Sequence, residues 1–144
     1  MRKRLTFDHP ENHCFGCAAD NAAGLKLEFF ETDSGVEAEY RASADFVGAP
    51  GTVHGGIQAT LLDEVMCMAA YAKLGRHVVT GELTIRYLRR TPAETTIIAR
   101  ARITQTKGAS AFIEGTIHLA GTDEELTQAR GRFFSGSGEP FPAA

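Results

Sequence analysis

Apolar side chains recur at helical spacing over one stretch of this chain and alternate with polar ones over much of the rest. From Ile57 to Leu74 there is neither Gly nor Pro, and Ile57, Leu61, Val65, Met68 and Ala72 fall one turn apart, with Leu62, Met66 and Ala69 filling adjacent rows. The spacing predicts one long helix, apolar on nearly every side and so wrapped by a sheet or by another chain. Gly75 is placed to stop it, and the charge of Lys73 suits its C-terminal end.

LKLEFFE (25–31) and VEAEYRA (36–42) alternate around Asp33-Ser34-Gly35 and read as a hairpin. A loop with Gly-Ala-Pro-Gly follows at 48–51. Beyond the helix, residues 77–90, 95–106, 111–120 and 125–136 are strand-like, separated by Thr-Pro-Ala, Lys-Gly-Ala-Ser and Gly-Thr-Asp, which are turn compositions. The order predicts an α+β domain in which an antiparallel sheet surrounds one central helix. Its expected extent is 25–136, with an irregular polar segment (1–24) packed on it and a flexible tail (137–144). No internal repeat is present.

Composition narrows the class. At 144 residues the chain suits one domain, and 43% hydrophobic and 23% charged residues with a net charge of −3 describe an ordinary soluble globule. No basic excess exists to hold nucleic acid. No run approaches the ~18–20 apolar residues of a bilayer span, and the charged opening MRKRLTFDHP lacks the apolar run of a secretory signal. Three cysteines fit free thiols in a reducing compartment, so a cytoplasmic location is expected.

The chemistry concentrates at the helix start, GTVHGGIQATLLDE (51–64). A helix opening at Gly55-Gly56 leaves its first N–H groups without internal partners, close enough for a ligand oxygen to reach, and the helix dipole favours negative charge there. Such a place stabilises a carbonyl that becomes an alkoxide. Asp63 lies eight residues on, ~12 Å along the axis, so one carbonyl cannot touch both within a chain. Two copies running antiparallel across a two-fold axis would bring the helix start of one to the acid of the other. The alternative is a structural ion pair from Asp63 to Arg86, Arg100 or Arg102. Glu64 points about 100° away from Asp63 and is kept beside the substrate only as a secondary candidate, a structural role being preferred.

The run His54-Gly55-Gly56, six residues, then Asp63 resembles the hotdog-fold acyl-CoA thioesterases of the phenylacetate-pathway (PaaI-like) group. Gly-Ala-Pro-Gly-Thr-Val-His-Gly-Gly-Ile-Gln-Ala-Thr-Leu-Leu-Asp-Glu (48–64) and Val79-Thr80-Gly81-Glu82-Leu83-Thr84-Ile85-Arg86-Tyr87 are closer still to the thioesterase-superfamily-member-4-like branch. The resemblance covers about residues 12–135. It implies a hotdog domain, pairing into homodimers or tetramers, that hydrolyses acyl-CoA. Asp63 would act as general base or nucleophile, the Gly55 N–H of the partner subunit would polarise the carbonyl, and Thr80 would help hold the attacking water. His54 and Gly56 would shape the turn beside the substrate. Some relatives carry an asparagine where this chain has Gly48, leaving backbone donors alone in the hole.

The resemblance implies no cofactor beyond the CoA of the substrate; Arg89, Arg90 and Lys107 are candidates to meet its phosphates outside the pocket, with solvated surface charge an equal alternative. Small side chains at Ala59, Ala69 and Ala70 leave room for an acyl chain or for close packing. Cys14-x-x-Cys17, near His9 and His13, has metal-knuckle spacing, but a closed structural site wants a second pair and Cys67 stands alone, so no metal is expected. Two rivals remain. A non-catalytic acyl-CoA-binding module would lack the acid, and a hotdog dehydratase would need a histidine paired with an acid.

Overall fold

A computed structural model describes residues 2–6 and 11–142. Seven antiparallel strands, β1 (Lys3–Leu5), β2 (Phe29–Glu31), β3 (Val36–Arg41), β4 (Val78–Tyr87), β5 (Thr96–Lys107), β6 (Ser110–Leu119) and β7 (Glu125–Ser135), form one sheet in the order β1-β2-β3-β5-β6-β7-β4. The helix α1 (Gly55–Leu74) lies against its concave face, packed mainly on β5, β4, β6 and β3.

The expected alternation decides which face meets the helix. On β5, Ile97, Ala99 and Ala101 are buried while Arg100 and Arg102 face out, and on α1 Leu61, Leu62, Val65, Met66 and Ala69 are wholly covered. Short side chains on the sheet let the helix settle close. A Cβ added at Gly115 would stand 3.1 Å from Leu62 Cδ2 and Met66 Sδ, tighter than packed cores tolerate without shifts. Ala69 and Ala70 are likewise taken up in packing rather than in lining a cavity.

Both helix ends follow the sequence. Gly75 caps the C-terminus in the left-handed conformation (φ 69°), its N–H donating to Tyr71 O. Lys73 finds definite partners, donating to Glu31 Oε2 and to Thr32 O, both at 2.8 Å, which ties that end to the β2–β3 hairpin. Gly35 closes the hairpin and must be glycine, because a Cβ there would fall 1.8 Å from Ala101 O of β5.

Two features depart from expectation, and a third was not foreseen. The opening is not wholly irregular: β1 pairs with β2, Arg2 lies 3.2 Å from Glu37 and stacks on Phe30, and Arg4 meets Glu28 at 3.0 Å. A three-residue strand is too short to announce itself by alternation. The tail to Pro142 is docked rather than flexible. Phe141 is buried and its N–H donates to Gly108 O, while Arg76 donates to Glu139 O and Pro140 O. Finally, β4 does not pair with the strand that follows it. It lies at the sheet edge against β7, so one side of a ten-residue strand has no partner among the described residues.

Candidate active site

The start of α1 is built from three interlocking hydrogen-bond sets. His54 is the N-cap, and its Nδ1 accepts the Gly56 N–H at 2.9 Å. A Cβ at Gly56 would crowd that imidazole at 3.1 Å, which explains the second glycine. The Tyr87 hydroxyl donates to Gly55 O at 2.7 Å, bracing the turn from β4. Beneath them Gln58, 3% exposed, donates from Nε2 to Val53 O (3.0 Å) and accepts from Thr91 (3.0 Å) and Thr127 (2.6 Å). The Gly56 N–H is therefore spent on the cap, while no acceptor among the described residues takes the Gly55 N–H. One polarised donor is left facing out at the positive end of the helix dipole.

That donor opens into a pocket of about 610 Å³ lined by Gly48, His54, Gly55, Gly56, Arg89 and Arg90 among others. Six sequence-derived candidates thus meet in one place. Arg90 is largely committed to shaping the wall, donating to Thr52 Oγ1 (2.8 Å) and Pro50 O (2.7 Å). Arg89 lies 3.5 Å from Glu124 and is well exposed, an ion pair easily exchanged for another anion. Lys107 ends β5 and does not line this pocket.

Asp63 lies two turns further along α1, where Thr80 Oγ1 of β4 donates to its Oδ1 at 2.5 Å. Thr80 sits at a β-bulge between Thr80 and Glu82, which aims its hydroxyl at the helix. Gly81 makes that bulge possible, since a Cβ there would fall 2.1 Å from the Phe134 ring. Of the arginine alternatives for Asp63, Arg100 is engaged with Glu37 and Arg102 with Glu114. Cys67 also touches this spot, its Sγ 3.8 Å from Thr80 Oγ1. Burial, reinforced by the Asp63 charge, pushes its thiol up to about 12, so it stays protonated and is a poor nucleophile at neutral pH.

Glu64 does not join either group. It turns into the N-terminal segment, where it accepts from Cys14 Sγ at 3.1 Å, and burial raises its carboxyl above the usual range. Its expected place beside the substrate is corrected accordingly, and the 100° step from Asp63 is the reason. Of the histidines near Cys14, His13 is turned to Asp20 at 3.4 Å, and His9 lies outside the described residues. Reading the sequence alone missed Gln58 and Tyr87. The only signal for Gln58 was a polar side chain on an otherwise apolar helix face.

A helix held in a single antiparallel sheet, with an open amide at its start, is the hotdog architecture. The thioesterase superfamily matches residues 50–125, and the chain belongs to that family. Its relatives include MIOREX complex component 3 of Saccharomyces cerevisiae (32% identical over 93 residues, 64% of this chain and 34% of that protein) and an uncharacterized mitochondrial protein of Candida albicans (31% over 77 residues, 53% and 34%). Acyl-coenzyme A thioesterase THEM4 of Rattus norvegicus is 33% identical over 88 residues, 60% of this chain and 36% of that protein. The chain spans about a third of the length of these curated relatives.

Among solved structures, a thioesterase superfamily protein superposes with a TM-score of 0.77 at 27% identity, covering 85% of this chain and 60% of that one. A Bacillus halodurans protein crystallised with CoA gives 0.69 at 29%, covering 82% and 79%. The hotdog resemblance read from the sequence is borne out, but the cytoplasmic expectation is not, because the Candida albicans relative is a mitochondrial protein. Free thiols fit any reducing compartment, so cysteine usage had no power to choose. Among the described residues no helix is long and apolar enough to cross a membrane.

Proposed function

We propose that the protein hydrolyses acyl-CoA thioesters at a site shared by two copies of the chain. The observation that carries this is the Thr80–Asp63 hydrogen bond, held on a β-bulge some ~12 Å from an amide that no described group accepts from. Neither half suffices alone. Copies paired through the free edge of β4, where Val79, Tyr87 and Leu88 are exposed, would set the Gly55 amide of one against the Asp63 of the other.

In that arrangement the Gly55 N–H and helix dipole stabilise the oxyanion that forms on the thioester carbonyl. Asp63 either removes a proton from water or attacks the carbonyl itself, with Thr80 orienting the carboxylate or the water. The products are a free acid and CoA, whose phosphates fall toward Arg89 at the pocket mouth. The THEM4 relative and the neighbour crystallised with CoA support the substrate class.

Thiol release from a panel of acyl-CoA esters tests the activity, and mixing tests the shared site. Gly55→Pro deletes the amide at the first helical position, where proline is tolerated, and His54, at φ −54° and ψ 137°, already has the extended shape that a following proline demands. Asp63→Asn deletes the acid. Each variant alone is expected to be inactive, while an equimolar mixture recovers about a quarter of wild-type activity, because half the dimers carry one intact site of two. No recovery from folded, exchanging dimers refutes the shared site, and CoA binding without thiol release from wild type favours the non-catalytic module.

A further inference from the structure

Glu64 and the Cys14-x-x-Cys17 turn stand fifty residues apart in sequence yet face each other across the N-terminal segment and α1. One carboxylate oxygen and the two sulfurs all lie within 4.8 Å of one another. The turn is made for this approach. A Cβ at Gly16 would fall 2.4 Å from the Glu64 side chain, so glycine alone lets the acid reach the sulfurs. The Gly16 N–H donates to Cys14 Sγ at 3.3 Å, and Ala18 N–H to Cys14 O and Leu27 N–H to Gly16 O hold the loop in place. Among the described residues no lysine or arginine pairs with Glu64. Two sulfurs and an acid without a basic neighbour make a donor set suited to a cation.

We infer that Cys14, Cys17 and Glu64 form a binding site for one zinc-class divalent ion, which clasps the N-terminal segment to the middle of α1. Zinc bonds of about 2.3 Å to sulfur and about 2.0–2.2 Å to oxygen put tetrahedral ligands about 3.5–3.8 Å apart. Cys14 Sγ and Glu64 Oε1 are already within that separation at 3.1 Å, and side-chain rotation closes the rest. On binding, both thiols lose their protons to solvent, two S–metal bonds and one O–metal bond form, and the site carries one net negative charge. A water completes the fourth position. Soft thiolates with a single carboxylate select zinc over magnesium or calcium. The absence of a second cysteine pair, which argued against a metal from sequence, is answered by an acid supplied from the helix.

The test uses the whole chain, reduced and stripped of metal, titrated with cobalt(II). Thiolate-to-cobalt charge-transfer absorption is expected to saturate at one equivalent per chain, to survive Cys67→Ser, and to vanish in Cys14→Ser and Cys17→Ser variants whose circular dichroism is native. Competition with a chromophoric chelator is expected to show Glu64→Gln weakening zinc by at least about tenfold, the lower bound for losing even an outer-shell partner. Zinc X-ray absorption on wild type keeps the proposal testable if the cysteine variants misfold, with two sulfur scatterers expected. No charge-transfer band, a band that persists without both cysteines, or a zinc shell of oxygen and nitrogen only would overturn it.

Discussion

Gln58 offers the sharpest test of how the helix start is held. Replacing it by leucine keeps side-chain volume but removes the donor to Val53 O and the acceptor of Thr91 and Thr127, all three of these residues 1% exposed or less. Each buried group left unpaired costs about 1–3 kcal/mol. The new apolar surface returns on the order of 1–2 kcal/mol. A net loss of about 3 kcal/mol is expected, read as a drop of roughly 10 °C in Tm for a domain of this size. Urea unfolding at fixed protein concentration should give the same loss with an unchanged slope, since association would otherwise confound the comparison. Gln128→Leu, which removes only an exposed bond to Glu125, serves as control and should stay within about 0.5 kcal/mol. A loss below about 1 kcal/mol in Gln58→Leu would refute the idea that this network fixes the turn carrying His54 and Gly55.

Thr80→Val removes the hydrogen bond to Asp63 and is expected to lower kcat/KM by about 10- to 100-fold, as for a bond to a charged group, with Thr80→Ser retaining most activity in the thiol-release assay. Gly81→Ala must push Phe134 aside at the bulge and should cost about 1–3 kcal/mol in chemical denaturation. His118, 3% exposed with Nε2 unpartnered among the described residues, has its pKa lowered by burial and then by the Arg100 charge, against a smaller upward pull from Asp123, Glu37 and Glu125. The unfolded chain therefore takes up a proton at higher pH than the native one, so stability is full above about 6.5 and lost as pH falls through the lowered folded-state value. Thermal melts from pH 8 to 5 should show that loss, reduced in His118→Gln.

How far the sequence reached depends on the range over which each signal acts. Local signals were sufficient for α1, because Gly75 and the apolar spacing both act within a few residues, and the later strands differ from their expected bounds by a residue or a few. Signals failed where the partner was distant. Nothing in the LTIRY alternation around Thr84 announces that β4 joins β7 across some forty residues, and nothing local in SGEPFP says that Phe141 lies under Arg76. The Asp63–Thr80 pairing was legible only through family resemblance, since bulge geometry at Gly81 is set by Phe134 on a neighbouring strand.

The two adjacent acids show why position on the helix outweighs residue type here. Asp63 and Glu64 share an apolar helix, yet one rotation of about 100° sends the first to the bulged edge strand and the second to a cysteine turn fifty residues upstream. Thr80, a neutral donor on the bulge of β4, holds the Asp63 carboxyl by one oxygen and brings no opposite charge to it. Glu64 accepts instead from the Cys14 thiol at 3.1 Å, and burial raises its carboxyl above the usual range. The division follows from which neighbours each carboxylate meets, and it sets Asp63, the acid of the proposed mechanism, beside β4 at the edge of the sheet.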